Sequence, residues 1–142
     1  MVVVAAVDRS GGERIVEEGR KTADAHGLPL HVVHTISEAD FRDLERASYD
    51  TSGKSLDMAQ IESLAETIAE EAVTEAGVEA EEVVGLVGKP SQRVLEYADD
   101  VDADYVVVGG RKRSSVGKVL FGSVTQSILL NAECPVITVM EE

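Results

Sequence analysis

Short apolar segments alternate along the chain with stretches in which apolar residues recur at helical spacing. The segments are rich in valine, and most of them do not alternate with polar residues, which is typical of strands buried on both faces of a parallel sheet. They predict five strands, at residues 2–7, 30–36, 83–87, 105–108 and 136–140.

The stretches between these predicted strands favour four helices. The first covers residues 11–25, the third starts near Pro90, and the fourth follows Gly122 and is expected to bury Val124 and Ile128. One long connection, residues 37–54, is polar and mixed in charge. A loop of that length is expected to be a functional lid or a partly disordered segment.

The alternation of strands and helices predicts an α/β fold, an open doubly wound sheet with right-handed crossovers and helices on both faces. No linker or repeat divides the chain, so residues 1–142 are expected to form a single domain. Ligands of such sheets bind at the carboxyl ends of the strands, where the strand order reverses. The places to search for a site therefore follow Val7, Val33 and Val108.

The composition narrows the classes of partner. The formal net charge is −14 over 142 residues, and aromatic residues make up 4%. Such a charge disfavours nucleic acids and anionic membranes as partners. The acids are dispersed and lysine is scarce, which we interpret as adaptation to strong brine, as in an extreme halophile. A single cysteine and the lack of a recognisable signal peptide or apolar span favour the cytoplasm.

The distribution of charge is uneven in a way that suggests a binding site. Residues 105–132, called here the acid-free segment, contain no Asp or Glu. The segment instead holds four basic residues and four glycines; these are Arg111, Lys112, Arg113, Lys118, Gly109, Gly110, Gly117 and Gly122. A glycine-rich, basic connection between a strand and a helix is the layout of a phosphate-binding loop. The alternative is a basic loop that pairs with acids elsewhere in the fold or across a dimer.

The acid-free segment resembles the ATP-binding motif of the universal stress proteins. That motif has a glycine, two residues, a second glycine, nine residues, and then Gly-Ser or Gly-Thr. Gly109 and Gly122-Ser123 match its first and last positions at the right spacing, and matching stretches around Val7-Asp8 and Val33-His34-Thr35 extend the resemblance over the whole chain. The resemblance implies the strand order 3-2-1-4-5 and a homodimer that pairs through the last strand and binds ATP, with Mg²⁺ as a possible companion.

The resemblance also implies which residues contact the nucleotide. They are Asp8, Thr35, Gly109, Arg111, Lys112, Gly122, Ser123 and Val124. Asp8 would contact adenosine, although a turn or helix-capping aspartate explains it equally well. Thr35 takes a position whose backbone contacts adenine in the family, so its side chain carries little information. Ser123 would donate to a phosphate while starting the fourth helix.

The middle glycine of the motif is replaced by Lys112. The lysine could abolish ATP binding, or its amine could supply the phosphate contact itself. Two functions therefore stay open, an ATP-binding regulatory dimer and a dimeric interaction module of the same fold without a nucleotide. No nucleophile and base occur at recognisable spacing, so at most slow ATP hydrolysis is expected. His31, His34 and Cys134 are not predicted to bind a metal, since residues 31 and 34 lie on opposite faces of a strand.

Overall fold

Five parallel strands form one open sheet in a computed structural model, which describes residues 1–8, 12–53, 57–112 and 119–141. With one further strand of two residues, the strands in chain order are β1 (Val3–Ala6), β2 (Leu30–Ile36), β3 (Glu82–Val87), β4 (Tyr105–Lys112), β5 (Val119–Leu120) and β6 (Val136–Glu141). The further strand, β5, pairs antiparallel with β4. In space the parallel strands run β3-β2-β1-β4-β6. This confirms the predicted order 3-2-1-4-5, in which β6 is the fifth predicted strand.

Helices cover both faces of the sheet, as the sequence predicted. They are α1 (Glu13–His26), α2 (Glu38–Ser52), α3 (Met58–Ala76), α4 (Pro90–Asp100) and α5 (Ser123–Asn131). Alternate residues of β1 enter two separate cores because successive side chains of a strand point to opposite faces. Val3 and Ala5 pack with α1 and α3, whereas Val4, together with Val2 just before the strand, packs with α4 and α5. No helix within the described ranges is long and apolar enough to cross a lipid bilayer.

The connection expected to be a loop or disordered is largely helix α2, so that prediction was wrong. The Ser37 side chain accepts a hydrogen bond from the Asp40 amide at 3.2 Å, and Gly53 ends the helix in the left-handed conformation. Phe41 and Leu44 anchor the helix on a small cluster that includes residues of β2 and α3. Phe41 and Leu44 are the only Phe, Leu, Ile, Val or Met residues among its fifteen, too few to produce a helical stripe, which is why the periodicity missed α2.

The strand β4 is longer than predicted. It continues past residue 108 to Lys112, because residues 106–111 pair with β6 and the last two residues pair with β5. Arg111 and Lys112 therefore belong to a strand and not to the loop that the acid-free segment predicted. Of their basic neighbours, Arg113 and Lys118 lie outside the described residues.

Candidate functional site

A cavity of about 100 Å³, called here the strand-end cavity, lies at the carboxyl ends of β1, β2 and β4. These are the strand ends that the sequence indicated. The first turns of α4 and α5 and one residue of α1 complete its wall. Of the eight residues expected to contact a nucleotide, four line it, namely Asp8, Thr35, Gly109 and Val124. The fold therefore brings together residues that are up to 116 positions apart in the chain, from position 8 to position 124.

The remaining four expected residues are placed by the elements that contain them. Gly122 is the residue that caps α5, and Ser123 is the first residue of that helix, next to the cavity-lining Val124. Arg111 and Lys112 are located by their backbone at the end of β4, and their side chains are outside the described part of the structure. The prediction that Val124 is buried was wrong, because it is 39% exposed. The prediction that Ile128, one helical turn later, is buried is confirmed, because it lies in the core formed with α4.

The start of α5, where Val124 and Thr125 line the cavity, has backbone amides without a partner in the helix. Gly122 has extended backbone angles (φ −64°, ψ 163°), and no described side chain accepts a hydrogen bond at this helix end. The first intrahelical hydrogen bond runs from the Gln126 amide to the Gly122 carbonyl, at 2.9 Å. The three preceding amides have no partner within the helix, so the partial positive charge of the helix end is available to an anion.

The two motif glycines differ in what requires them. A Cβ atom at Gly109 would lie 2.9 Å from Cδ1 of Ile15, so this glycine lets α1 pack against β4. A Cβ atom at Gly122 would meet no described atom within 4 Å, and its negative φ suits any residue. Packing therefore accounts for Gly109, whereas neither packing against described atoms nor backbone conformation accounts for Gly122. A helix-capping glycine with no described atom beside its Cβ position would allow the close approach of a ligand.

Thr125 joins the helix to the strand. Its hydroxyl donates a 2.7 Å hydrogen bond to the carbonyl oxygen of Gly109, and it lines the cavity. Sequence reasoning did not single out Thr125. A hydroxyl sixteen residues beyond its acceptor gives no local pattern, and the contact exists only because α5 folds back onto the end of β4.

The end of β2 contributes two buried polar residues. His34 is 8% exposed, and its Nδ1 lies 2.8 Å from the Val7 carbonyl oxygen. A carbonyl oxygen can only accept, so Nδ1 carries the proton and ties the ends of β1 and β2 together. Thr35 is 9% exposed, and its buried Oγ1 has no hydrogen-bond partner in the described protein. The expectation was that the Thr35 side chain carries little information. Its buried, unpaired hydroxyl is nevertheless an unusual feature of the site.

Asp8 is the charged residue among those lining the cavity in the described ranges. It is exposed and follows β1. It does not cap the first helix, because the capping residue of α1 is Gly12, so of that alternative only the turn aspartate stays open. No group of three or more His, Cys, Asp and Glu residues within the described ranges is arranged to hold a metal ion.

Comparison with known proteins decides the family. The model of the universal stress protein family matches residues 1–140. The chain belongs to the universal stress protein family. A universal stress protein from Mycolicibacterium smegmatis is 35% identical to it over 141 residues, covering 98% of this chain and 96% of the relative.

Two solved structures extend the comparison to the fold. A universal stress protein from Archaeoglobus fulgidus superposes with a TM-score of 0.64 at 32% identity, covering 97% of both chains. A second structure, of the universal stress protein from the same organism in complex with dAMP, has a TM-score of 0.58 at 28% identity. That alignment covers 97% of this chain and 96% of the other. The sheet and helices of this universal stress protein are therefore those of its family.

The site of this universal stress protein combines two chemical features. At β4, the open amides of α5 suit an anion; at β2, a buried hydroxyl suits an uncharged hydrogen-bonding group. Apolar side chains lie between them, including Ile15, Val94 and Ile128. This arrangement can bind a molecule that has an anionic group at one end. At its other end the molecule would carry a largely apolar group that can also form a hydrogen bond.

Proposed function

We propose that this universal stress protein binds an adenine nucleotide, with ATP as the favoured ligand, and acts as a regulatory dimer. The observation that carries the proposal is the strand-end cavity with the open helix end of α5 at its rim. Such a helix end binds phosphate through its amides and its partial charge. The dAMP complex of the relative from A. fulgidus, 28% identical, supports an adenine ligand.

The size of the cavity limits how the nucleotide fits. Pockets that enclose a small ligand usually measure about 300–1,000 Å³, and the strand-end cavity encloses about 100 Å³. The cavity is therefore too small for a whole nucleotide, and it would enclose only part of the nucleoside end. The phosphates would lie outside it, over the open space at Gly122 and the start of α5. Mg²⁺ would arrive with ATP, bound to its phosphates.

Local charge favours the same assignment. A net charge of −14 repels a nucleotide from most of the surface. The acid-free segment, which includes the basic residues Arg111 and Lys112, connects the end of β4 to the start of α5, next to the proposed phosphate position. We infer that these side chains offset the charge of the phosphates. With no recognisable nucleophile and base, occupancy of the site rather than turnover would be the regulatory output.

Dimer formation is proposed from an open sheet edge. Among the described strands β6 pairs with β4 alone, which leaves its other edge free to pair. Apolar side chains of α5 are also exposed, with Leu130 at 75% and Leu129 at 37%. The same surface favours the second candidate function, a dimeric interaction module of the same fold that binds no nucleotide.

Mass spectrometry of ligand released from protein purified in molar salt separates the two candidates. Adenine nucleotide at nearly one molecule per chain is the result expected for the nucleotide-binding dimer. Protein that carries no nucleotide, and that takes none up when ATP is added at millimolar concentration, would support the interaction module instead.

A further inference from the structure

The Thr35 hydroxyl is buried in the strand-end cavity without a partner. Its side chain is 91% buried, since 9% is exposed, and Oγ1 makes no hydrogen bond to the described protein. A buried hydroxyl left unpaired destabilises a fold, whereas valine, which has the same shape, would fill the site at no such cost. The fold alone therefore gives no reason for threonine at this position, and a ligand in the cavity would give one.

Strand alternation defines where this hydroxyl points. Val33 packs in the core formed with α4 and α5, whereas Val32 and Ile36 pack on the side of α1 and α3. Thr35 follows Val33 by two residues, so its side chain lies on the face of α4 and α5. The cavity walls on that face include Pro90 and Val94. In such apolar surroundings a hydrogen bond is stronger than at the surface.

The hydroxyl is also far from the proposed phosphate position. Val32 and Val107 both lie level with Ala5 in the sheet, so Thr35 and Gly109 lie at similar heights beyond them. The strand β1 separates β2 from β4. Two strand spacings of about 4.8 Å place the two strand ends roughly 10 Å apart. A ligand whose phosphates lie at β4 and α5 would reach β2 with its nucleoside end.

We propose that the Thr35 hydroxyl forms a hydrogen bond with the nucleoside end of the ligand and is a determinant of nucleoside affinity in this site. The inference rests on the proposed function and deepens it. The resemblance to the family assigns this position a backbone contact, which any residue could make. The side-chain contact is an addition that depends on threonine or serine at position 35.

The test uses two variants and three ligands. Thr35→Val keeps the shape and removes the hydroxyl, while Thr35→Ser keeps the hydroxyl. Calorimetric titration of each full-length protein with adenosine, AMP and ATP, in the salt that keeps it folded, measures the affinities. We expect Thr35→Val to bind all three ligands more weakly by the same factor, about 3- to 10-fold for one hydrogen bond. Thr35→Ser should stay within about 2-fold of the parent.

Thermal unfolding without ligand is the second measurement. If the hydroxyl is unpaired in the free protein, Thr35→Val should melt at the same temperature as the parent or higher. A lower melting temperature with unchanged affinities would show a purely structural role and overturn the inference. So would a penalty for ATP that is absent for adenosine, because the contact would then be to phosphate. If the parent binds none of the three ligands, the proposed function fails and this inference fails with it.

Discussion

The hydroxyl of Thr125 lies 2.7 Å from the carbonyl oxygen of Gly109 and donates a hydrogen bond to it. This bond connects the first turn of α5 to the end of β4, which are 16 residues apart in the chain. It fixes the open amides of the helix relative to the cavity that Gly109 lines. Thr125 is thus a positioning residue for the proposed phosphate site.

Removing this bond should affect the phosphate end of the site selectively. We expect Thr125→Val to lower the free energy of unfolding by about 1 kcal/mol, because the Gly109 carbonyl loses its donor. ATP affinity should fall while adenosine affinity stays close to that of the parent, whereas a defect at the nucleoside end would weaken both ligands equally. Thr125→Ser, which keeps the donor, is the matched control. Equal losses for ATP and adenosine would contradict the assignment of α5 to the phosphates.

Gly122 offers a trade-off between stability and binding. Its extended backbone angles suit serine, which is a better helix-capping residue by a few tenths of a kcal/mol. We expect Gly122→Ser to melt at the same temperature as the parent or slightly higher. ATP binding should weaken about 10-fold. The serine hydroxyl would accept a hydrogen bond from an amide of α5, and the side chain would fill the space where the phosphates are proposed to lie.

Ser37→Gly provides the control for this change. Ser37 caps α2, so the reverse substitution there alters a helix cap without touching the cavity. Its ATP affinity should equal that of the parent protein. If Gly122→Ser also bound ATP like the parent, the helix end of α5 would not be the phosphate site.

Substitutions at Lys112 distinguish an amine that contacts the phosphates from a side chain that prevents ATP from binding. If its amine contacts phosphate, Lys112→Ala should cost about 1.5–3 kcal/mol of ATP binding. Lys112→Gly restores the family motif and should bind better than Lys112→Ala. Lys112 is a strand residue that pairs with β5, and glycine weakens a strand, so the glycine variant should also lose some stability. Calorimetric titration of the three proteins with ATP gives the order, and improved binding in both variants would rule out the charge contact.

The parallel sheet could be predicted because its strands are buried on both faces. Such strands produce continuous valine-rich runs, as in residues 2–7, which can be recognised without knowing what packs against them. The ends of elements were less predictable, since they depend on partners. The strand β4 extends to Lys112 because β5 and β6 pair with it, and α2 is held by Phe41 and Leu44 against a cluster from other elements.

The candidate site could be predicted as a set of residues but not as a geometry. The motif spacing indicated Gly109 and Gly122 alike, and only the packing of Ile15 separates their roles. Thr125 was missed because its importance lies in the hydrogen bond that it forms with Gly109. The Thr35 hydroxyl was missed because its importance lies in having no hydrogen-bond partner in the described protein. Neither fact is a property of local sequence.

The open edge of β6 predicts self-association. Sedimentation at micromolar concentration in molar salt should give a species of twice the 15.1 kDa chain mass, because an unpaired edge strand tends to pair with another strand. A clean monomer under these conditions would contradict the proposed dimer and leave the sheet edge without a partner.

The acidic surface predicts that stability depends on salt. With a net charge of −14, thermal melts should shift to lower temperature as salt is removed, because screening is lost. Exposed Glu62, Glu66 and Glu70 follow one another at four-residue spacing on α3. Glu66→Lys should therefore stabilise the protein by about 0.5 kcal/mol at low salt and by less in molar salt. A melting temperature that stays constant or rises on dilution of salt would contradict the adaptation to brine.

Calorimetric titration of the parent protein with ATP in molar salt tests the central claim most directly, with GTP and inorganic tripolyphosphate as comparison ligands. Nucleotide binding in the strand-end cavity predicts one ATP per chain and markedly weaker binding of tripolyphosphate, which lacks the nucleoside. Equal binding of ATP and tripolyphosphate would reduce the site to a phosphate-binding loop. The absence of any heat of binding with ATP at millimolar concentration would contradict the claim.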